Sequence, residues 1–131
     1  MRLTRKYSMT RHAEFSNTRN EGGAKGGKYV VVSSLTDPSL THHKVGVILT
    51  RKIGNAVIRN RVRRRIHSIL AKNLHRIDSS EGYRYIVTVS RWRAPEASSA
   101  QLETDWLKQA RHLGILKSTG PETAHEPNGE V

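Results

Sequence analysis

Between positions 55 and 77 the apolar residues Ile58, Val62, Ile66, Ile69, Leu70 and Ile77 recur at spacings of three and four, with Leu74 at one margin. At about 100° per residue they fill one broad stripe, which predicts an amphipathic helix over about residues 55–76 that packs on a core. Gly54-Asn55 supplies a turn and an N-cap just before Ala56. Other segments follow the strand pattern. Lys28–Leu35 and Lys44–Thr50 carry β-branched runs separated by the turn Thr36–Ser39, and Tyr83–Ser90 alternates in part. Asp78–Gly82 breaks the long helix from the last of these strands, and the loop Arg91–Ala97 is closed by Pro95. Ser98 with Gln101 fits a capping box, opening a helix with Leu102, Trp106, Ala110 and Leu113 on one face and a stop at Gly114.

The two ends carry weaker patterns. Residues 1–8 are polar and basic, and a short helix is expected over residues 10–19, with Thr10 as N-cap and Phe15 as its aromatic. Gly22–Gly27 holds four glycines in six residues, a flexible turn; without a following Ser/Thr-rich helix it is no phosphate loop. From Ser118 onward Gly, Pro, Thr and Glu dominate with no periodicity, which predicts a disordered acidic tail over 118–131 beside a single domain over 1–117. The order α-β-β-α-β-α predicts an α+β fold, a two-layer sandwich of one sheet with helices packed against it.

Charge changes this picture. The chain of 131 residues has a net charge of +12, and the tail's Glu122, Glu126 and Glu130 leave 23 basic against eight acidic groups in residues 1–117. Nine of the Lys and Arg residues lie in Arg51–Arg76, and no Asp or Glu occurs from Pro38 to Ile77. A folded run of like charge repels itself, and the partner that favours keeping it is a polyanion. Arg61, Arg64, Arg65, Ser68 and Lys72 fall along one border of the apolar stripe, while Arg63 and His67 lie towards the other, with Asn60 beyond. Arginine outnumbers lysine six to two from Lys52 to Arg76, which suits bidentate and stacked contacts better than a diffuse charge cloud. Asn60, neutral among arginines, both donates and accepts, and so suits a base edge or a ribose hydroxyl.

Other chemistries fit poorly. The absence of cysteine excludes disulfides, thiolate catalysis and Cys-type zinc sites. The seven histidines show no ligand spacing, the carboxylates are scattered, and His42-His43 lacks spaced partners, so neither a protein-based nuclease centre nor a metal site is expected. A basic helix lying on a membrane lacks its bulky aromatic face. A DNA-binding helix-turn-helix is not formed, because the residues before Arg51 read as strand. No signal peptide or membrane-length apolar run appears, and a cytoplasmic protein is expected.

The run Lys52-Ile53-Gly54-Asn55-Ala56-Val57-Ile58-Arg59-Asn60-Arg61-Val62-Arg63-Arg64 resembles the signature at the start of the central helix in the bacterial ribonuclease P protein family, and the resemblance extends in register from about Leu3 to Leu116. It implies the order α-β-β-(β)-α-β-α, with a very short extra strand near Ala24–Lys28, a mixed sheet, and a left-handed crossover at the basic helix. It implies a subunit that assists a catalytic RNA in removing the 5′ leader from precursor tRNA, with the chemistry on the RNA and its Mg²⁺. No catalytic side chain, membrane or small-molecule substrate is implied. The RNA-binding residues so implied are Arg51, Lys52, Asn55, Arg59, Asn60, Arg61, Arg63, Arg64, Arg65, His67, Ser68 and Lys72. The leader would lie in a cleft between this helix and the sheet, served by Arg11, Phe15, Arg19, Tyr29 and Val31. This chain departs from the family in having Arg19 and Val32 where relatives carry aromatics, so charge is expected to outweigh stacking there. The alternative is a general RNA-binding or ribosome-associated protein without nuclease function.

Overall fold

The computed structural model describes residues 5–117, so the expected tail over 118–131 lies outside the described residues. Three helices, α1 (His12–Glu21), α2 (Ala56–Asn73) and α3 (Ser99–Leu113), accompany four strands, β1 (Gly23–Gly26), β2 (Val30–Thr36), β3 (Lys44–Leu49) and β4 (Arg84–Ser90). The sheet runs β1-β2-β4-β3 and is mixed: β1 with β2 and β2 with β4 are antiparallel, and β3 with β4 is parallel. The parallel pair is joined through α2, because strands running the same way need a long crossover.

Pairing register assigns the two faces. Ile86 and Thr88 of β4, with Val30 and Val32 of β2 and Val45 of β3, face α2 and α3 and form the main core with Val62, Ile66, Leu70, Leu102 and Trp106. The Trp106 indole N–H donates to Thr88 Oγ1 at 3.0 Å, satisfying the one polar atom that this large buried side chain brings inside. Tyr85, Val87 and Val89 point the other way, where α1 packs. Gly46 sits opposite Val87, and a Cβ there would overlap the Phe15 ring, so glycine lets α1 lie close on the sheet.

The long helix behaves as its apolar period predicts, with its ends adjusted. Asn55 caps it, accepting from the Ile58 N–H at 3.1 Å, and the last turn tightens into a 3₁₀ turn at Leu74–Arg76. The Ser98–Gln101 capping box forms, and α3 ends at Gly114 in the left-handed region, φ 75°. The first helix starts two residues later than expected, and Thr10 does not cap it. Instead the Glu14 carboxylate reaches back to the N–H groups of Thr10 and Arg11, both at 3.1 Å. The glycine-rich stretch also differs from a flexible turn. It forms β1, paired from Gly23↔Ser34 to Gly26↔Val31, close to where the family resemblance put a short strand.

Candidate nucleic-acid interface

The apolar stripe of α2 divides its polar residues into two flanks. On one flank Arg61, Arg64, Arg65, Ser68 and Lys72 line a groove of about 530 Å³, whose far wall is Ser99, Ala100 and Glu103 at the start of α3. These five α2 residues are the ones that the helical period placed together. The α3 wall was not legible in sequence, since it depends on how two helices pack. Glu103 is the one acid of the groove. Its Oε2 accepts from the buried Asn73 side chain at 2.9 Å and its Oε1 from Lys72 at 3.3 Å. The hydrogen bond from Asn73, aided by Lys72, outweighs burial and holds the Glu103 carboxyl below the usual carboxylate range, so it is ionised at neutral pH.

The second flank carries Asn60, Arg63 and His67. Arg63 Nη1 donates to Asn60 Oδ1 at 2.7 Å, so the carboxamide oxygen already has a partner and the amide N–H₂ is the group left to offer. Burial, reinforced by the Arg63 charge, pushes the His67 pKa below its ordinary value, making the ring a neutral donor and acceptor at pH 7. At the helix start Arg59 Nη1 donates to the Gly54 carbonyl at 3.0 Å. Gly54 has φ 144°, a conformation that disfavours any side chain, and a Cβ there would press on Ile58. The Gly-Asn pair of the signature is thus explained locally: glycine makes the turn, asparagine caps the helix, and the turn's carbonyl holds Arg59. Arg51, Lys52 and Asn55 are exposed just before the helix. Val57 stands exposed beside them, an apolar residue that the search for charge passed over.

The residues expected to serve a leader cleft are distributed over two places. Val62, Ile66, Ile69 and Leu70 of α2 are buried in the core against the sheet. The open apolar surface lies on the opposite face, where Val31, Val89 and Ile48 pair across three strands and are only half-buried. Phe15 belongs to this face through its contact at Gly46, and Arg11 and Arg19 flank it one turn away on either side, both exposed. Ile48 and Val89 were missed because an alternating strand does not say which of its faces stays open. Tyr29 does not join the others. Its N–H and that of Val30 both donate to Asp105 Oδ2, at 2.8 and 3.1 Å, which breaks the strand's alternation and turns the Tyr29 ring towards α3. There it lines a separate groove of about 360 Å³ with Ala100, Gln101, Thr104, Asp105 and Lys108.

The histidine pair is taken up by protein contacts. His42 Nε2 bonds the Lys6 carbonyl at 2.8 Å, and buried His43 accepts from the Arg84 N–H at 3.1 Å. Among the described residues no three His, Asp or Glu side chains converge into a set that could hold a metal ion, and no helix is long and apolar enough to cross a membrane.

The chain matches known proteins in sequence and in fold. The family model for ribonuclease P matches residues 3–114. The chain is 32% identical to the ribonuclease P protein component of Acidothermus cellulolyticus over 89% of its own length and 93% of that protein. It is 25% identical to the component of Geobacillus kaustophilus, covering 90% and 95% of the two chains. In structure it is similar to the RNase P protein of Staphylococcus aureus, with a TM-score of 0.75 at 20% identity over 85% of this chain and 98% of that one.

Proposed function

This chain belongs to the ribonuclease P protein family and is the protein component of that tRNA-processing endoribonuclease, and from this we propose that it works as a cationic bridge between two RNAs. The groove between α2 and α3 meets the catalytic RNA. The second α2 flank, with Asn60, Arg63 and His67, extends the same contact around the helix. The half-open sheet face at Phe15, Val31, Ile48 and Val89 receives the single-stranded 5′ leader of precursor tRNA, with Arg11 and Arg19 beside its phosphates. The observation that carries this reading is the convergence of Arg61, Arg64, Arg65, Ser68 and Lys72 on one groove, because five phosphate-seeking groups on a rigid helix suit a folded RNA backbone. The chemistry is the RNA's, with Mg²⁺ held there; the protein's side chains bind and screen.

The physical role follows from charge. Catalytic RNA and precursor are both polyanions, and a body of 23 basic and eight acidic groups in residues 1–117 lowers the repulsion between them. The protein therefore tightens substrate binding and lowers the Mg²⁺ needed, and leaves the chemical step to the RNA. We infer that it acts in the cytoplasm, beside its tRNA substrates. The test adds purified protein to the catalytic RNA and precursor tRNA at low Mg²⁺ and follows release of the 5′ leader. Acceleration over RNA alone is expected, fading at high Mg²⁺. Equal binding to both RNAs without any acceleration would favour a general RNA-binding role instead.

A further inference from the structure

The loop between β4 and α3 holds the chain's most conspicuous unassigned side chain. Trp92 is 58% exposed, whereas Trp106, the only other tryptophan, is 1% exposed. A lone exposed apolar residue is ordinary, but this one is neither on a loose tip nor alone. The loop is pinned on both sides of it. The Arg91 N–H donates to the Tyr29 carbonyl at 2.8 Å, Arg91 Nη1 donates to the Gly27 carbonyl at 3.0 Å, and Ala94 is fully buried two residues later. Further along, Arg65 of α2 donates to the Ala97 carbonyl at 3.0 Å. The loop thus runs from the end of the sheet, where Arg91 meets Tyr29 and Gly27, to the basic helix at Arg65, and Trp92 is carried on it.

Its neighbours are cationic. Arg91 and Arg93 flank it in sequence, and the Arg93 guanidinium lies 5.5 Å from the ring centroid while contacting Glu96 at 3.4 Å. An exposed indole on a pinned loop between two arginines offers a π-face for a base and cations for the adjoining phosphates, which is the chemistry of single-stranded nucleic-acid binding. Duplex RNA offers no free base face to such a platform. We propose that Trp92 is a stacking platform for an unpaired base of single-stranded RNA, which on the functional reading above is the 5′ leader of precursor tRNA.

Tryptophan fluorescence tests this directly, because Trp106 is buried. A short single-stranded oligoribonucleotide should quench the wild-type protein, the same RNA annealed into a duplex should quench it much less, and Trp92→Phe should abolish the quenching. Equal quenching by duplex, or quenching that persists in Trp92→Phe, overturns the platform. In the holoenzyme, Trp92→Leu should weaken binding of leader-bearing precursor about fivefold or more, the lower end of base–aromatic stacking. Binding of leaderless tRNA and of the catalytic RNA should be unchanged, and thermal unfolding should match wild type because the ring is exposed. A Trp92→Leu holoenzyme that binds precursor like wild type, or that loses catalytic RNA equally, refutes the assignment. If wild-type protein fails to accelerate precursor cleavage, the broader function falls instead, while oligonucleotide quenching still judges Trp92 on its own.

Discussion

Glu103 lets stability and RNA binding be separated, because the two respond to its charge with opposite sign. It supports Asn73, which is 2% exposed, and pairs with Lys72 at 3.3 Å, yet it is an acid in a groove whose other charged residues are all cations. Glu103→Gln keeps an oxygen that can accept from Asn73 but loses the ion pair with an exposed lysine. Exposed pairs are worth about 0–1 kcal/mol, so the stability loss should stay below about 1 kcal/mol. Glu103→Ala also removes the acceptor. Asn73 keeps its bond to the Ile69 carbonyl at 2.9 Å, so one amide hydrogen loses its partner, at a cost of about 1–3 kcal/mol. For a domain of this size that is a fall of roughly 3–15 °C in Tm. RNA affinity should move the other way. Freeing Lys72 and removing the acid adds about one phosphate contact, which steepens the salt dependence by roughly 0.9 in logarithmic slope. Between about 50 and 200 mM salt, that is roughly 3.5-fold more affinity lost than in wild type. The assay is thermal unfolding of both variants beside titration of the catalytic RNA at several salt concentrations. Weaker RNA binding by Glu103→Gln at low salt would refute the reasoning, since the carboxylate would then be helping the interface.

Other expectations follow from single contacts. Asn55→Ala should cost about 1 kcal/mol in thermal or denaturant unfolding by leaving the α2 cap open, with RNA binding changed less than stability. Arg64→Gln should lower the salt slope of RNA binding by about 0.9 and leave Tm in place, whereas Arg65→Gln should lower both, because Arg65 also holds the Ala97 carbonyl. Burial, which outweighs a hydrogen bond to Ile77, depresses the pKa of His43 from 6.5, so the unfolded chain takes up the proton first. Stability is therefore fully present above pH 6.5 and is lost as pH falls towards the depressed folded value. Unfolding followed across that window should show the decline in wild type, and His43→Gln, which can still accept from the Arg84 N–H, should reduce it.

Sequence periodicity was most informative where one face of an element had to be buried. It placed Val62, Ile66 and Leu70 inwards and grouped Arg61, Arg64, Arg65, Ser68 and Lys72, and the structure has both. Local capping chemistry was equally readable at Asn55 and Ser98, where the partner lies within three residues. What escaped depended on distant partners. Tyr29 was grouped with Phe15 by the family resemblance, but Asp105, 76 residues away, accepts its N–H, and the Tyr29 ring lines the groove beside α3. Thr10 lost its role as a cap to Glu14, whose Oε1 takes the backbone N–H groups while Oε2 meets Lys44 at 3.7 Å; burial raises that carboxyl's pKa, but the backbone hydrogen bonds and Lys44 outweigh it. Trp92 drew no attention because nothing local distinguishes an exposed indole from a buried one.

The arginine run raises a question of cost, since like charges on consecutive turns repel and long side chains lose rotamer freedom when RNA fixes them. The structure answers by restraining several of them in advance. Arg59 is tied to the Gly54 carbonyl, Arg63 to Asn60 and Arg65 to the Ala97 carbonyl, each through one Nη1. A guanidinium has five N–H donors in a fixed fork, so one bond to the protein leaves the others free for phosphate. Each such bond also places partial negative charge against the cation without adding an acid that RNA would have to displace. The acid-free stretch from Pro38 to Ile77 is consistent with this: carbonyls and an amide do the holding that carboxylates would do on an ordinary surface. Restraint before binding reduces the ordering cost at binding, which favours a rigid helix face over a loose basic tail of the same charge. On this reasoning lysine at Arg59 or Arg65 would keep the charge but lose the shared geometry, because an ammonium has no planar fork.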